Sequence, residues 1–281
     1  MKVGLQIYSV RNHMNEDPLG TLKKVSDMGY KYIEAYSHPE GKDVKTFGLG
    51  MNAKDAKAML NDLGLQVVGA HFYPLIPEGL DEFCEYYAEL GVPQVGCGGT
   101  WELDIETKAP YLNEAGRIAR KHGIRYYYHN HVQEYRRVDG EYIQHRFYNE
   151  TDPELVFFEL DTFWVARSGI DPREEIEFFK DRLVLLHQKD FAKDAGEPLC
   201  MFDILDQQTP MSGEVYGQHK RVEAFAEVGT GILPIQDYID KANEVGVPYI
   251  LLEQDLTKMD EIDSIQTSMN AFKKFKGIEW D

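Results

Sequence analysis

The sequence predicts an α/β chain folded as a single-domain (β/α)8 TIM barrel, and three observations carry that prediction. An amphipathic stretch, a glycine and a short apolar run recur in that order along the chain. The runs are apolar on both faces, as parallel strands covered by helices should be. The first strand–helix connection, "YSVRNHMNEDP", lacks the glycine-rich phosphate fingerprint of the rival fold, an open doubly wound sheet.

Taken in order, "KVGLQIYS" opens the chain as a strand over 2–9. A helix follows in which Leu22, Val25 and Met28 recur at helical spacing up to Gly29, and 31–36 is the second strand. Asn52 is an N-cap before "AKDAKAML", Gly64 ends that helix, and 65–72 is the third strand. Gly91 and Gly123 close the next two helices before strands 92–97 and 124–131. Glycine belongs just past a helix because, without a Cβ, it adopts the left-handed conformation at no steric cost. "ELVFFELD" gives strand 154–161, Asp171-Pro172 opens the helix "REEIEFF", and "RLVLLHQKD" carries strand 182–188. Gly246 precedes the eighth strand, 248–254, and a last helix falls around 260–275. Two connections exceed the minimal unit, 132–151 and 190–230. Both follow the C-terminal ends of strands, where barrel enzymes build their sites. The longer one is read as an active-site loop or lid inserted into one domain spanning 1–281.

With 43% hydrophobic and 28% charged residues, the 281-residue chain has an ordinary globular composition. "MKVGLQIYSVRNH" turns polar too early for a signal peptide, and no run approaches the roughly 18 apolar residues of a membrane span. Cys84, Cys97 and Cys200 are far apart and in no metal-type spacing, so free thiols in a reducing cytoplasm are expected. The formal net charge of −18 repels polyanions and argues against general nucleic-acid binding.

Titratable side chains crowd the predicted strand ends. Gln6, Tyr8, Glu34, Tyr36, His71 and Cys97 end the first four strands. His129 and His131, Glu159 and Asp161, His187 and Lys189, Glu253 and Asp255 end the last four. Within "YYYHNH", "FFELD", "LLHQKD" and "LLEQD" these residues alternate, so each pair points to one face, which in a closed barrel is the central mouth. Unpaired buried charges cost several kcal/mol each, about enough to make such clustering improbable without a partner. One divalent cation (Mn, Zn, Co or Mg) is the economical partner. Taken singly, His187 or Glu253 is as well explained as a satisfied core residue, so the metal expectation rests on the convergence of four strands. Tyr126, Tyr127, Tyr128, Phe157 and Phe158 are read as core, and His13, His122, His145 and His219 as surface or loop residues. Trp164 is read as a wall of the pocket. The Gly-x-Gly of "EVGTGIL" is weak evidence for a ligand site, and its Glu227 is read as a loop residue.

At these residues the chain resembles a known family. "GLQIYSVR", "YHNHVQEY", "ELDTFWVARSGIDP", "LLHQKDF", "EVGTGILP" and "YILLEQD" together are similar to the sugar phosphate isomerase/epimerase group of xylose-isomerase-like TIM barrels. The resemblance runs from the first strand to the last helix and implies one catalytic divalent metal, held by carboxylates and one histidine. Carried onto this chain, it implies Asp161, His187 and Glu253 as ligands. Many relatives carry a glutamate where this chain has His129, and the subgroup reading "YHNH" has a nearby glutamate, here Glu134. Either a histidine replaces the carboxylate or Glu134 reaches back; Glu134 is favoured because a third carboxylate keeps the charge set of a hard-cation site. His131 is then free for proton transfer.

The resemblance implies a sugar isomerase or epimerase that moves a proton through a metal-stabilised enediolate. Outer carboxylate ligands can double as bases in the broader family, which implicates Glu253; His131 and Lys189 are the other catalytic candidates. Glu159 faces the same way as Asp161 and is a candidate to orient a ligand. Gln6, Tyr8, His71, Trp164 and Asp255 are expected to line the pocket of a small sugar or keto-sugar. A lyase or dehydratase acting on a keto-sugar or inositol-type substrate needs the same site. An endonuclease-type phosphodiesterase is disfavoured by charge, and a non-catalytic sugar-binding barrel is the remaining alternative. Barrels of this type often pair, so a homodimer is one option, and the sequence leaves the oligomeric state open.

Overall fold

The structure, a computed structural model, describes residues 1–37, 48–72, 79–98, 105–207 and 211–280, the side chains of 105–107 excepted. Eight parallel strands close into a barrel with helices between them. They are β1 (Lys2–Gln6), β2 (Tyr32–Ser37), β3 (Gln66–Phe72), β4 (Gln94–Gly98), β5 (Arg125–His129), β6 (Val156–Asp161), β7 (Leu183–Gln188) and β8 (Tyr249–Leu252). Closure is made by β1 on β8, with Val3 opposite Ile250 and Leu5 opposite Leu252. The expected helix signals are used: Asn52 accepts the Asp55 N–H at 3.0 Å, and Gly64, Gly91, Gly123 and Gly246 all have positive φ. No helix among the described residues is long and apolar enough to cross a membrane. Cys84, Cys97 and Cys200 are free thiols.

Three strands end sooner than the sequence suggests, and each difference bears on the site. β1 stops at Gln6 because its side chain accepts the Tyr8 N–H and turns the chain into a 3-10 helix over Ile7–Val10. β5 stops at His129, where Asn130 leaves the ladder and its Oδ1 accepts the Asp161 N–H at 2.9 Å. β8 ends at Leu252, so Glu253 and Asp255 leave from its tip.

Alternation sorts the barrel's contents. Tyr126 and Tyr128 lie in the main core with the surrounding helices, whereas Tyr127 lies with Tyr32, Leu185 and Leu251 in a separate apolar cluster. The Tyr127 hydroxyl donates to Glu34, so it links that cluster to the polar layer above. A Cβ on Gly96 would come within 2.3 Å of the Tyr127 ring, so only glycine there leaves room for it.

The 190–230 insertion has an apolar cluster of its own. Phe191, Met201, Met211, Tyr216 and Phe225 gather on Phe163 and Trp164, which follow β6. Its two ends pair as an antiparallel ribbon, Asp190–Phe191 against Phe225–Ala226. Arg167 donates to Glu197 at 2.6 Å and to the carbonyls of Pro198 and Leu199, tying the insertion to the helix after β6.

Candidate active site

The polar layer forms because strand register sets side chains of one height beside each other. His129 lies opposite Glu159, and Asp161 opposite His187. Their side chains, with those of Glu34, His71, Lys189 and Glu253, are buried. His187 Nε2 is 2.5 Å from Glu34 and 3.0 Å from Glu159, and its Nδ1 is 2.9 Å from Glu253. His71 Nε2 is 2.7 Å from Glu159, and His129 Nδ1 is 3.1 Å from the same carboxylate. The Lys189 ammonium bonds both Asp161 and Glu253, with Asp255 at 3.7 Å.

Five carboxylates in so small a volume need positive charge, and the protonation preferences follow from that. Burial alone would push His71 down, but Glu34 and Glu159 outweigh it and hold it up at about 10. Burial likewise opposes a charged His187, and Glu159, Glu253 and Glu34 outweigh it. Glu159 is driven up by burial and further down by His187 and His71, ending at about 2. Asp161 goes the other way: burial, with the like charge of Glu253 beside it, raises it to about 6 against the pull of Lys189. His129 is held well below its ordinary value by burial and by the neighbouring His187, which leaves it a neutral imidazole.

The sequence-predicted residues do not all gather at one point. His129, Asp161, His187 and Glu253 each offer one ligand atom, and those atoms all lie within 4.8 Å of one another. This set of two imidazoles and two carboxylates suits a divalent metal, and Lys189 already places a cation on two of its oxygens. A second set, His71, His129, Glu159 and His187, meets the same criterion deeper in the barrel. Glu134 belongs to neither. Its carboxylate accepts from the Tyr128 hydroxyl, from Gln133 Nε2 at 2.8 Å and from the His131 N–H at 2.8 Å. Tyr128 packs with the surrounding helices in the main core, and these three donors engage the Glu134 carboxylate.

Among the residues expected in the pocket, Gln6 is spent on the network, donating to Glu34 at 2.7 Å, and His71 is likewise engaged with Glu159. Tyr8 is half-buried and packs edge-on against Tyr36 with the Arg11 guanidinium over its ring. His131 stands past β5 with its ring 5.6 Å from Tyr216 and 6.0 Å from Trp164. Burial of that ring, reinforced by His129, keeps it well below the usual histidine value. Asp255 accepts from Lys220 at 3.0 Å. Lys220 and Tyr216 both come from the insertion, and sequence reasoning missed them because nothing in "GEVYGQHK" signals a site. Asp190 was missed as well. It accepts the N–H groups of Gly229, Gly231 and Leu233 at 2.9–3.0 Å, which uses the "EVGTGIL" backbone for a structural clamp. Glu227 accepts from Thr257 and Ser264, in keeping with a loop role.

A closed (β/α)8 barrel with a histidine–carboxylate cluster at the C-terminal ends of its strands defines the class. The chain belongs to the xylose isomerase-like TIM barrel family, whose model matches residues 22–275. It superposes on a sugar phosphate isomerase/epimerase from Parabacteroides distasonis with a TM-score of 0.76 at 24% identity, over 99% of this chain and 97% of that one. The IOLI protein with a bound zinc atom superposes with a TM-score of 0.70 at 14% identity, over 98% of this chain and all of the other. In sequence, the chain is 28% identical to inosose dehydratase 2 of Bacillus cereus over 137 residues. That match spans 49% of this chain and 45% of the relative, so it covers about half the length of each.

Proposed function

We propose that the chain catalyses a divalent-metal-dependent proton transfer beside the carbonyl of a keto-sugar or keto-polyol, completing an isomerisation or epimerisation. The observation that carries this reading is the convergence of His129, Asp161, His187 and Glu253 within 4.8 Å, with buried Lys189 against two of them. These four residues would hold a divalent ion, which would supply electrophilic polarisation of a carbonyl. Glu253 is kept anionic: burial opposes this, and Lys189 and His187 outweigh it. It is therefore available to take the α-proton. Lys189 is held fully protonated against burial by Asp161 and Glu253, and is placed to steady developing oxyanion charge. His131, a neutral imidazole beside Trp164 and Tyr216, is the second acid/base. The five carboxylates around the mouth favour a neutral polyhydroxylated substrate and disfavour a phosphodiester.

Dehydration is the second reading, and the likeness to an inosose dehydratase favours it. It shares the first proton removal and then loses the β-hydroxyl as water. The test is incubation of the metal-loaded protein in D2O with a panel of ketoses, 3-keto-sugars and inososes. Deuterium gained at carbon without loss of mass as water supports isomerisation or epimerisation; an unsaturated product supports dehydration. Tight sugar binding with no exchange and no product from any member of the panel would leave a non-catalytic binding barrel.

A further inference from the structure

Asp255 stands between two ammonium groups from different parts of the chain. Its Oδ1 accepts from Lys220 of the insertion at 3.0 Å, and its Oδ2 lies 3.7 Å from Lys189, beyond hydrogen-bond distance. The carboxylate is buried, yet Oδ2 has no hydrogen-bond partner among the described residues. Arg11 donates to the Asp255 carbonyl at 2.8 Å, so the backbone is held while one side-chain oxygen is left open. Orphaned buried acceptors are costly, and native sites keep them where a ligand or water completes the bond. Lys220 carries the matching donors. Asp255 takes one of its three N–H groups, and no other acceptor for them lies among the described residues. A second orphan is the indole N–H of Trp164, which is buried and has no acceptor among the described residues. Tyr216 links the two places, its ring 5.2 Å from that of Trp164 and 5.5 Å from the Lys220 ammonium. The Tyr8 ring lies 5.8 Å from the same ammonium.

We propose that Lys220 and Asp255 form a subsite for a vicinal diol of the substrate, away from the reacting carbonyl, and so select an unphosphorylated ring polyol. One hydroxyl donates to Asp255 Oδ2 while its neighbour accepts from Lys220, and the aromatic rings of Tyr8 and Tyr216 offer apolar faces to the C–H groups. The ion pair is neutral as a whole. A phosphate or carboxylate at this place meets the Asp255 charge, with Lys220 already compensated, whereas a neutral diol uses the open acceptor and the open donors together. The inference rests on the keto-sugar reading above and deepens it by naming the substrate class. A lysine that only fastened the insertion would weaken every ligand alike; a diol subsite weakens only ligands that carry the diol.

The experiment uses the full-length protein and polyols that lack a carbonyl and cannot react: 1,5-anhydroglucitol, myo-inositol, their monodeoxy analogues and 1,5-anhydroglucitol 6-phosphate. Calorimetry gives each affinity. The parent should bind at least one of the two neutral polyols and lose about tenfold or more when one hydroxyl of the diol is missing. Lys220→Met should weaken the full polyol about tenfold or more, yet leave that deoxy analogue within about twofold of the parent. The phosphorylated ligand should bind no better than its neutral counterpart. Equal losses on polyol and deoxy analogue in Lys220→Met, tighter binding of the phosphate, or no binding of either neutral polyol would each overturn the subsite. Should Lys220→Met not fold, the parent's ranking of neutral, deoxy and phosphorylated ligands decides alone. Deuterium exchange into a keto-sugar by a parent whose polyol affinity ignores Lys220→Met sinks the subsite and spares the catalytic reading. Diol binding that depends on Lys220, in a parent that exchanges no deuterium, sinks the catalytic reading and spares the subsite.

Discussion

The Lys189 ammonium bonds the Asp161 carboxylate across neighbouring strands with neither side chain exposed to solvent. Its other partner is Glu253, so one lysine compensates two carboxylates that belong to the candidate metal shell. Lys189→Met should therefore destabilise the metal-free protein by about 3–5 kcal/mol, the usual cost of leaving buried charge unpaired. Added manganese or zinc should restore most of the loss, because a divalent ion compensates the same oxygens. Urea unfolding with and without metal measures both; a loss that metal does not relieve would place the metal elsewhere.

Metal content separates the ligand candidates. Asp161→Asn and His187→Ala should each abolish metal retention through dialysis, since each removes a donor from the four-atom set. Plasma emission analysis after dialysis is sufficient to check this, and retention in both variants would refute the site.

Glu134→Gln should keep its metal, because its carboxylate is occupied by Tyr128, Gln133 and the His131 amide. Losing those charge-assisted bonds should cost stability of about 1.5–3 kcal/mol instead. Metal loss from a folded Glu134→Gln protein would return that residue to the shell.

Stability of the metal-free protein should fall as pH rises above neutrality. His71 has a folded-state value of about 10, above the ordinary 6.5, so its contribution is complete below about pH 6.5 and is lost as pH rises through 10. Urea midpoints taken from pH 6 to 10 check this slope, and His71→Phe should flatten it. A midpoint that rises over that range would contradict the network.

Tyr216→Ala should raise KM roughly two- to tenfold, the range of one lost aromatic contact, and leave metal content unchanged. The ring packs on Trp164 and edge-on against His131, so its loss disturbs that packing without removing a candidate ligand. Steady-state kinetics on whichever keto-sugar turns over, alongside metal analysis, tests it; a parallel loss of metal would show the insertion holding the shell together.

Most of the barrel was legible because its signals are local. Glycines with positive φ after Leu63, Leu90, His122 and Val245 follow from backbone sterics, and the apolar runs after them follow from burial on both faces. Asp161, His187 and Glu253 were legible as polar residues terminating apolar strands. The choice between His129 and Glu134 was not legible, because it turns on where β5 ends. That boundary is set by Asn130 bonding to the Asp161 amide, a contact between residues 31 apart. Tyr127 was read as ordinary core because its two tyrosine neighbours are; only strand alternation in a closed barrel separates it from them. Tyr216 and Lys220 lie in a segment whose place over the mouth depends on the cluster it builds with Phe163 and Trp164.

The Asp190 clamp has a consequence for how such a chain can diversify. The carboxylate grips the returning backbone at Gly229, Gly231 and Leu233, and the ribbon beside it joins Phe191 to Phe225. Everything between those two phenylalanines leaves and re-enters the barrel through one fastened doorway. The span 192–224 is thus a cassette: exchanging it should change which molecule is admitted while the C-terminal end of β7 keeps its geometry.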